Sequence, residues 1–169
     1  MNTVPLTLQI TRLEATHLVD LIDQFIELVQ DGSPPGDDPA VLRLVPDAYA
    51  DDAEAAQEFR DVTERDLLRR RHRDAQLVRR SLSPAATLTS VTTAGAEGWE
   101  EVDLALDPES VQAWMRTLAA VRLVIASRLG ITDEDQHDGD DPRFGVYDWL
   151  GYRLEGLIRA IEATRSAEH

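Results

Sequence analysis

The densest run of chemically capable side chains is a set of seven arginines, Arg65, Arg69, Arg70, Arg71, Arg73, Arg79 and Arg80. Only three acids, Glu64, Asp66 and Asp74, accompany them between Thr63 and Leu82, in a chain whose formal net charge is −15. A guanidinium does little covalent chemistry. It is planar and always charged, and it recognises carboxylates and phosphates through paired hydrogen bonds. Arg65, Arg69, Arg73 and Arg80 follow steps of four, four and seven, which puts them near one face of a helix. Arg65, Arg69, Arg70 and Arg73 are therefore the candidate residues for holding a protein partner or a nucleic-acid backbone. The competing reading is a solvated face neutralised by the protein's own carboxylates. Few aromatic residues lie nearby, which argues against stacking of single-stranded bases.

The other candidates are weaker. Asp133, Glu134, Asp135, His137, Asp138, Asp140 and Asp141 form an acidic loop of the oxygen-rich kind that calcium or magnesium can use. An EF-hand needs glycine at its sixth position and glutamate at its twelfth; from Asp133 those positions hold Asp138 and Phe144, so the match fails. His17, His72, His137 and His169 share no metal-ligand spacing. There is no cysteine, which excludes disulfides, thiol nucleophiles and Cys-ligated zinc. All 17 basic residues are arginine, so Schiff-base chemistry and a P-loop lysine are excluded as well. No Gly-x-Ser-x-Gly elbow or Gly-x-Gly-x-x-Gly turn appears. The sequence thus predicts no catalytic residue, no metal site and no cofactor. An enzyme built from dispersed carboxylates would require a deep pocket where they converge.

The elements that must position these residues are mostly helical. Leu6-Thr7-Leu8-Gln9-Ile10 alternates like a half-buried strand. Thr11 and Glu14 have the spacing of a capping box, and Ala15, Leu18, Ile22, Phe25 and Val29 form the apolar stripe of a helix of about 19 residues. The Gly- and Pro-rich stretch Asp31 to Pro39 is a loop. Ala40 to Asp47 reads as a short helix with Val41, Leu44 and Val45 inward. Asp52 suits the cap of a helix carrying Ala55, Ala56 and Phe59. Thr63 suits the cap of a separate arginine-rich helix ending before Ser83-Pro84.

Thr87 to Thr92 and Val102 to Leu106 read as two strands of a hairpin, joined through a flexible turn at Ala94 to Gly98. Asp107-Pro108 starts a helix with the stripe Val111, Trp114, Leu118, Val121 and Ile125, and Gly130 ends it. After the acidic loop 132–145, Val146 to about Ala163 forms the last helix. Trp114, Tyr147, Trp149 and Tyr152 are expected in or beside the core; exposure of Tyr152 beside Trp149 would instead make a recognition patch.

A shift of 96 residues lays the first strand, cap and helix on the second: Leu8 falls on Leu104, Thr11 on Asp107, Leu18 on Trp114. This is a strand–cap–helix unit used twice, by duplication or by convergence. The expected fold is α+β and helix-dominated, a single domain over 1–169 with two strand–helix units at 5–29 and 101–129. Five or six helices pack on a small antiparallel sheet of two or three strands. In its middle the order of elements suits a winged helix, with the arginine helix reading the major groove and the hairpin as wing.

With 169 residues, 43% of them apolar and 29% charged, the chain suits one packed, soluble globule. No apolar run spans a bilayer and the opening residues lack the pattern of a secretory signal, so the expected location is cytoplasmic. The acidity repels nucleic acid and anionic membrane at long range.

Asp37 to Leu67, DDPAVLRLVPDAYADDAEAAQEFRDVTERDL, resembles the actinobacterial family catalogued as domain of unknown function 2017. So does Ala113 to Ile131, AWMRTLAAVRLVIASRLGI, taken with Tyr147 to Glu155, YDWLGYRLE. The resemblance covers nearly the whole chain. It implies a transcriptional regulator responding to oxidative stress and partnering a sigma factor, with a cysteine pair as sensor. This chain has no cysteine, so that trigger does not carry over.

The resulting expectation is a non-enzymatic regulatory or adaptor protein acting by protein–protein contact, in stress-responsive transcription. The alternative is a winged-helix-type DNA-binding regulator using the arginine-rich helix 64–82. A homodimer through the first or last helix is the expected assembly if the chain self-associates.

Overall fold

The computed structural model describes residues 5–30, 38–45, 53–86, 95–131 and 140–168, with side chains from residue 62 onward in the third of these segments. The architecture is helix-dominated α+β. Strand β1 (Leu6–Thr11) leads directly into helix α1 (Arg12–Gln30), because Thr11 and Glu14 cap each other. The Glu14 backbone N–H donates to Thr11 Oγ1 at 3.2 Å, and the Thr11 N–H donates to Glu14 Oε2 at 3.0 Å. The five residues of the predicted α1 stripe are the five that are buried on it.

Helix α2 (Pro39–Arg43) is capped by Asp38, whose carboxylate accepts from the Ala40 N–H. The same carboxylate takes both Nη atoms of Arg128 at 2.8 and 2.9 Å, which ties α2 to the end of the fifth helix. Arg128 first, and then the backbone N–H, hold the Asp38 carboxyl below its usual range.

Helix α3 (Ala53–Leu82) is one rod of 30 residues. The expected break at Thr63 does not occur. The preceding stretch Ala53–Val62 contains no glycine or proline, and a cap-type residue ends a helix only where the backbone also leaves helical geometry. Glu64, which would stand in the first turn of a helix begun at Thr63, is instead buried in mid-helix.

A single turn, α4 (Gly95–Gly98), replaces the flexible turn expected there. Strand β2 (Glu101–Leu106) follows, and then helix α5 (Pro108–Leu129), capped by Asp107 with Pro108 at its first position. Gly130 closes α5 in the left-handed conformation, φ +73°, as a C-terminal glycine should. A 3-10 turn (Pro142–Phe144) precedes helix α6 (Gly145–Ala167). Helix α2 stops short of its expected end and α6 runs past its own. The expected strand 87–92 and most of the acidic loop lie outside the described residues.

Among the described residues, β2 pairs with β1. The pairing is antiparallel, with Leu6 opposite Leu106, Leu8 opposite Leu104 and Ile10 opposite Val102. The 96-residue shift makes Leu8 and Leu104 equivalents, and the register sets these equivalents face to face. The two strand–helix units therefore meet symmetrically about that pair. Their inner faces join α1, α3, α5 and α6 in one core. Helix α3 packs against both α1 and α5, and α6 lies on α5. Gly151 allows that last approach, since a Cβ there would stand 3.0 Å from the Arg122 guanidinium. That guanidinium covers the buried Tyr147 ring, 4.0 Å from its centroid. Among the described residues, no helix is long and apolar enough to cross a membrane.

Candidate partner-binding surfaces

Helix α3 turns Leu68, Ala75, Val78 and Leu82 to the core. At about 100° per residue, Arg65, Arg69, Arg73 and Arg80 fall within roughly 80° of one another on the opposite side. All four are exposed, as is Arg70. The structure thus brings Arg65, Arg69, Arg70 and Arg73 together on one outward ridge.

Grooves of about 640 and 600 Å³ run along its two flanks, the first towards Val29 and Gln30 of α1, the second towards Glu109 and Arg116 of α5. Together they gather seven arginines against three carboxylates, Asp66, Asp74 and Glu109. Asp74 is engaged by Arg116 at 2.9 Å, while Asp66 stands 3.8 Å from Arg69, a loose exposed pair.

Elsewhere in this acidic chain arginines have partners. Arg12 pairs with Glu100, Arg79 with Asp23, Arg128 with Asp38, Arg143 with Asp141, Arg153 with Glu14 and Arg159 with Glu155. Arg43 and Arg71 donate to the backbone carbonyls of Ile131 and Leu44. Burial holds the Arg71 guanidinium below its usual range. Arg65, Arg70, Arg73 and Arg80 make no ion pair with a described carboxylate, and all four belong to α3. Among the described residues, no carboxylate neutralises these four.

A second surface includes Trp149 and Tyr152, but its joint at Glu14 was not legible in the sequence. It lies at the end of the sheet where β1 passes into α1. Glu14, already half of the capping box, also accepts from the Trp149 indole N–H at 3.1 Å and pairs with Arg153, both on α6. Arg153 in turn donates to the Gln9 carbonyl at 3.0 Å. Burial alone would raise the Glu14 carboxyl. Arg153, the Thr11 N–H and the Trp149 indole outweigh it and hold the group down at about 2.

Over this joint opens a groove of about 600 Å³, between the first two turns of α1, the start of α6 and Trp99. Of the six large apolar side chains exposed among the described residues, three rim it: Trp99 (71%), Tyr152 (71%) and Val146 (44%). Trp149 is half-buried in its wall, beside the exposed Tyr152. Trp114 and Tyr147 are core residues.

No group of three or more His, Asp or Glu side chains among the described residues is arranged to hold a metal ion. The described structure is thus a helix-dominated α+β protein with one basic ridge and one aromatic groove on its surface. The chain belongs to the family described as a Domain of unknown function (DUF2017), whose profile matches residues 2–161. No curated protein and no solved structure matches it.

Proposed function

We propose that this chain is a regulatory or adaptor protein that acts by contact rather than catalysis, docking an acidic segment of a partner protein on the α3 ridge. The observation that carries this reading is the set of guanidinium groups without an ion-pair partner among the described residues, Arg65, Arg70, Arg73 and Arg80, on one helix of a chain with net charge −15. In a protein with 32 acids, arginines left without carboxylates are available to carboxylates from outside. A protein partner is favoured over duplex DNA because the surrounding charge repels a polyanion as long as B-DNA, while a short acidic segment contacts only the ridge. The partner's setting in stress-responsive transcription, with a sigma factor as the protein contacted, is the finer part of the proposal.

The test is co-purification with the wild-type protein and with the triple variant Arg65→Glu, Arg69→Glu, Arg73→Glu. A stoichiometric partner should be retained by the first and lost by the second, with loss also on raising salt. A variant that keeps the partner removes the ridge from the interface. Salt-dependent binding of duplex DNA to the wild type, abolished in the variant, would transfer the ridge to the DNA-binding alternative.

A further inference from the structure

We propose that the aromatic groove at the start of α1 is a second docking site, and that it takes an arginine- or lysine-bearing segment of a partner protein. The site is independent of the α3 ridge, and the two readings stand or fall separately.

The argument begins with what is exposed. Trp99 and Tyr152 each leave 71% of their surface in water, and both line one groove together with the half-buried Trp149. Singly exposed aromatics are ordinary. Three around one opening form a surface on which a flat or cationic group can lie against ring faces.

The charge around the rings selects between those groups. Arg153 is the arginine that lines the groove, and its charge is already engaged by Glu14. Glu100 is likewise occupied by Arg12. Glu97 faces the Arg12 guanidinium as well. Glu101, which lines the groove, is exposed and forms no ion pair with a described residue. Glu101 also stands on the outer face of the sheet together with Asp103, since residues two apart on a strand share a face. The uncompensated charge beside the aromatics is therefore negative. Aromatic faces and free carboxylates together attract a cation, and the cation–π contribution grows as the site loses water.

The occupant is a segment of a different protein. A second copy of this chain would bring another net charge of −15 to an acidic rim, and the two would repel. Gln9, Thr11 and Glu101, on the outer face of the sheet, line the groove, which suits an extended peptide with alternate side chains against it.

The three tryptophans provide the measurement. Their indole N–H signals report separately on Trp99 and Trp149 in the groove and on Trp114, which is buried and donates to Ser81 Oγ at 2.8 Å. The probe is a short end-capped peptide alternating arginine and leucine; the control carries glutamate in place of arginine. On titration of the full chain, the Trp99 and Trp149 signals should move together while Trp114 stays. Trp99→Ala and Tyr152→Ala should each weaken the peptide about fivefold to tenfold, and Glu101→Gln about threefold. The ridge variant Arg65→Glu, Arg69→Glu, Arg73→Glu should bind it as the wild type does. Equal movement with the glutamate peptide, no movement at millimolar peptide, or movement that follows protein concentration alone would each overturn the proposal. The last of these outcomes would place a second copy in the groove.

Discussion

The two ends of the small sheet are built to the same plan and used differently. At one end β1 turns into α1 at Thr11; at the other β2 turns into α5 at Asp107. Both turns are capped by the expected residue, and the register pairs Leu8 with its equivalent Leu104 between them. The Asp107 end stops there. Its carboxylate accepts from the Ser110 N–H at 2.7 Å in open solvent. At the Thr11 end the capping glutamate also binds Trp149 and Arg153, fastens α6, and underlies the aromatic groove. A minimal cap suffices to start a helix of this kind. The additional polar partners at Glu14 fasten α6 to that end, and substitutions at equivalent positions can separate capping from this second role.

The largest effect is expected in the core. Leu18 and Trp114 are equivalents, both buried, but only Trp114 also reaches α3 through its indole N–H to Ser81. Trp114→Ala should cost about 4 kcal/mol in urea unfolding and Leu18→Ala about 3 kcal/mol, the tryptophan adding volume and a hydrogen bond. A Leu18 variant markedly less stable than the Trp114 variant would show that α1, rather than α5, carries the core.

Next come the caps. Asp107→Ala removes one exposed acceptor and should cost about 1 kcal/mol. Glu14→Ala strands the Trp149 N–H and the Arg153 guanidinium as well, and should cost about 2–3 kcal/mol. Acid separates the wild type from this variant. The Glu14 carboxyl sits near 2 in the folded protein and about 4.5 when unfolded, so its contribution is complete above 4.5 and is lost as pH falls from there towards 2. Allowing for solvent that still reaches the group, this amounts to about 1–2 kcal/mol. Stability measured from pH 5 to pH 2 should fall more steeply in the wild type than in Glu14→Ala. Parallel curves would detach Glu14 from the acid sensitivity.

What could be read in advance follows the same division. Local signals were legible: the Thr11–Glu14 box, the α1 stripe, Asp107-Pro108 and Gly130 all act within a turn or two of the chain. The arginine ridge was legible as a face because helical periodicity alone groups Arg65, Arg69 and Arg73. Its unpaired state was not, since that depends on which carboxylates other elements deliver. The continuity of α3 is hidden in the sequence because Thr63 with Glu64 imitates a helix start inside good helix-forming sequence. The partner of β2 was likewise non-local: β1 lies nearly a hundred residues earlier, across a register that no turn dictates. Glu14's further bonds to Trp149 and Arg153 cross an even longer separation, so spacing and composition point to Trp149 and Tyr152 as a pair but not to the joint that sets the groove around them.

Gly130 offers a smaller, purely backbone test of the second unit. Its φ of +73° disfavours any Cβ, although nothing would stand within 4 Å of one. Gly130→Ala should therefore cost about 1 kcal/mol from conformation alone. A neutral result would mean that the end of α5 unwinds at little cost, and that Arg128 rather than the turn fixes α2.

The smallest expected effect sharpens the comparison most. Trp99→Ala and Tyr152→Ala remove large aromatic groups, yet each ring is mostly in water. Each variant should therefore lie within about 0.5 kcal/mol of the wild type, far from the cost of emptying a core site. The same pair should lose binding at the groove. Such a division, stability untouched and binding lost, is what distinguishes a rim kept for a partner from apolar surface left over by packing. If either substitution instead cost more than about 2 kcal/mol, that ring would be supporting the α1–α6 joint, and the Thr11 end of the sheet would differ from the Asp107 end in architecture alone.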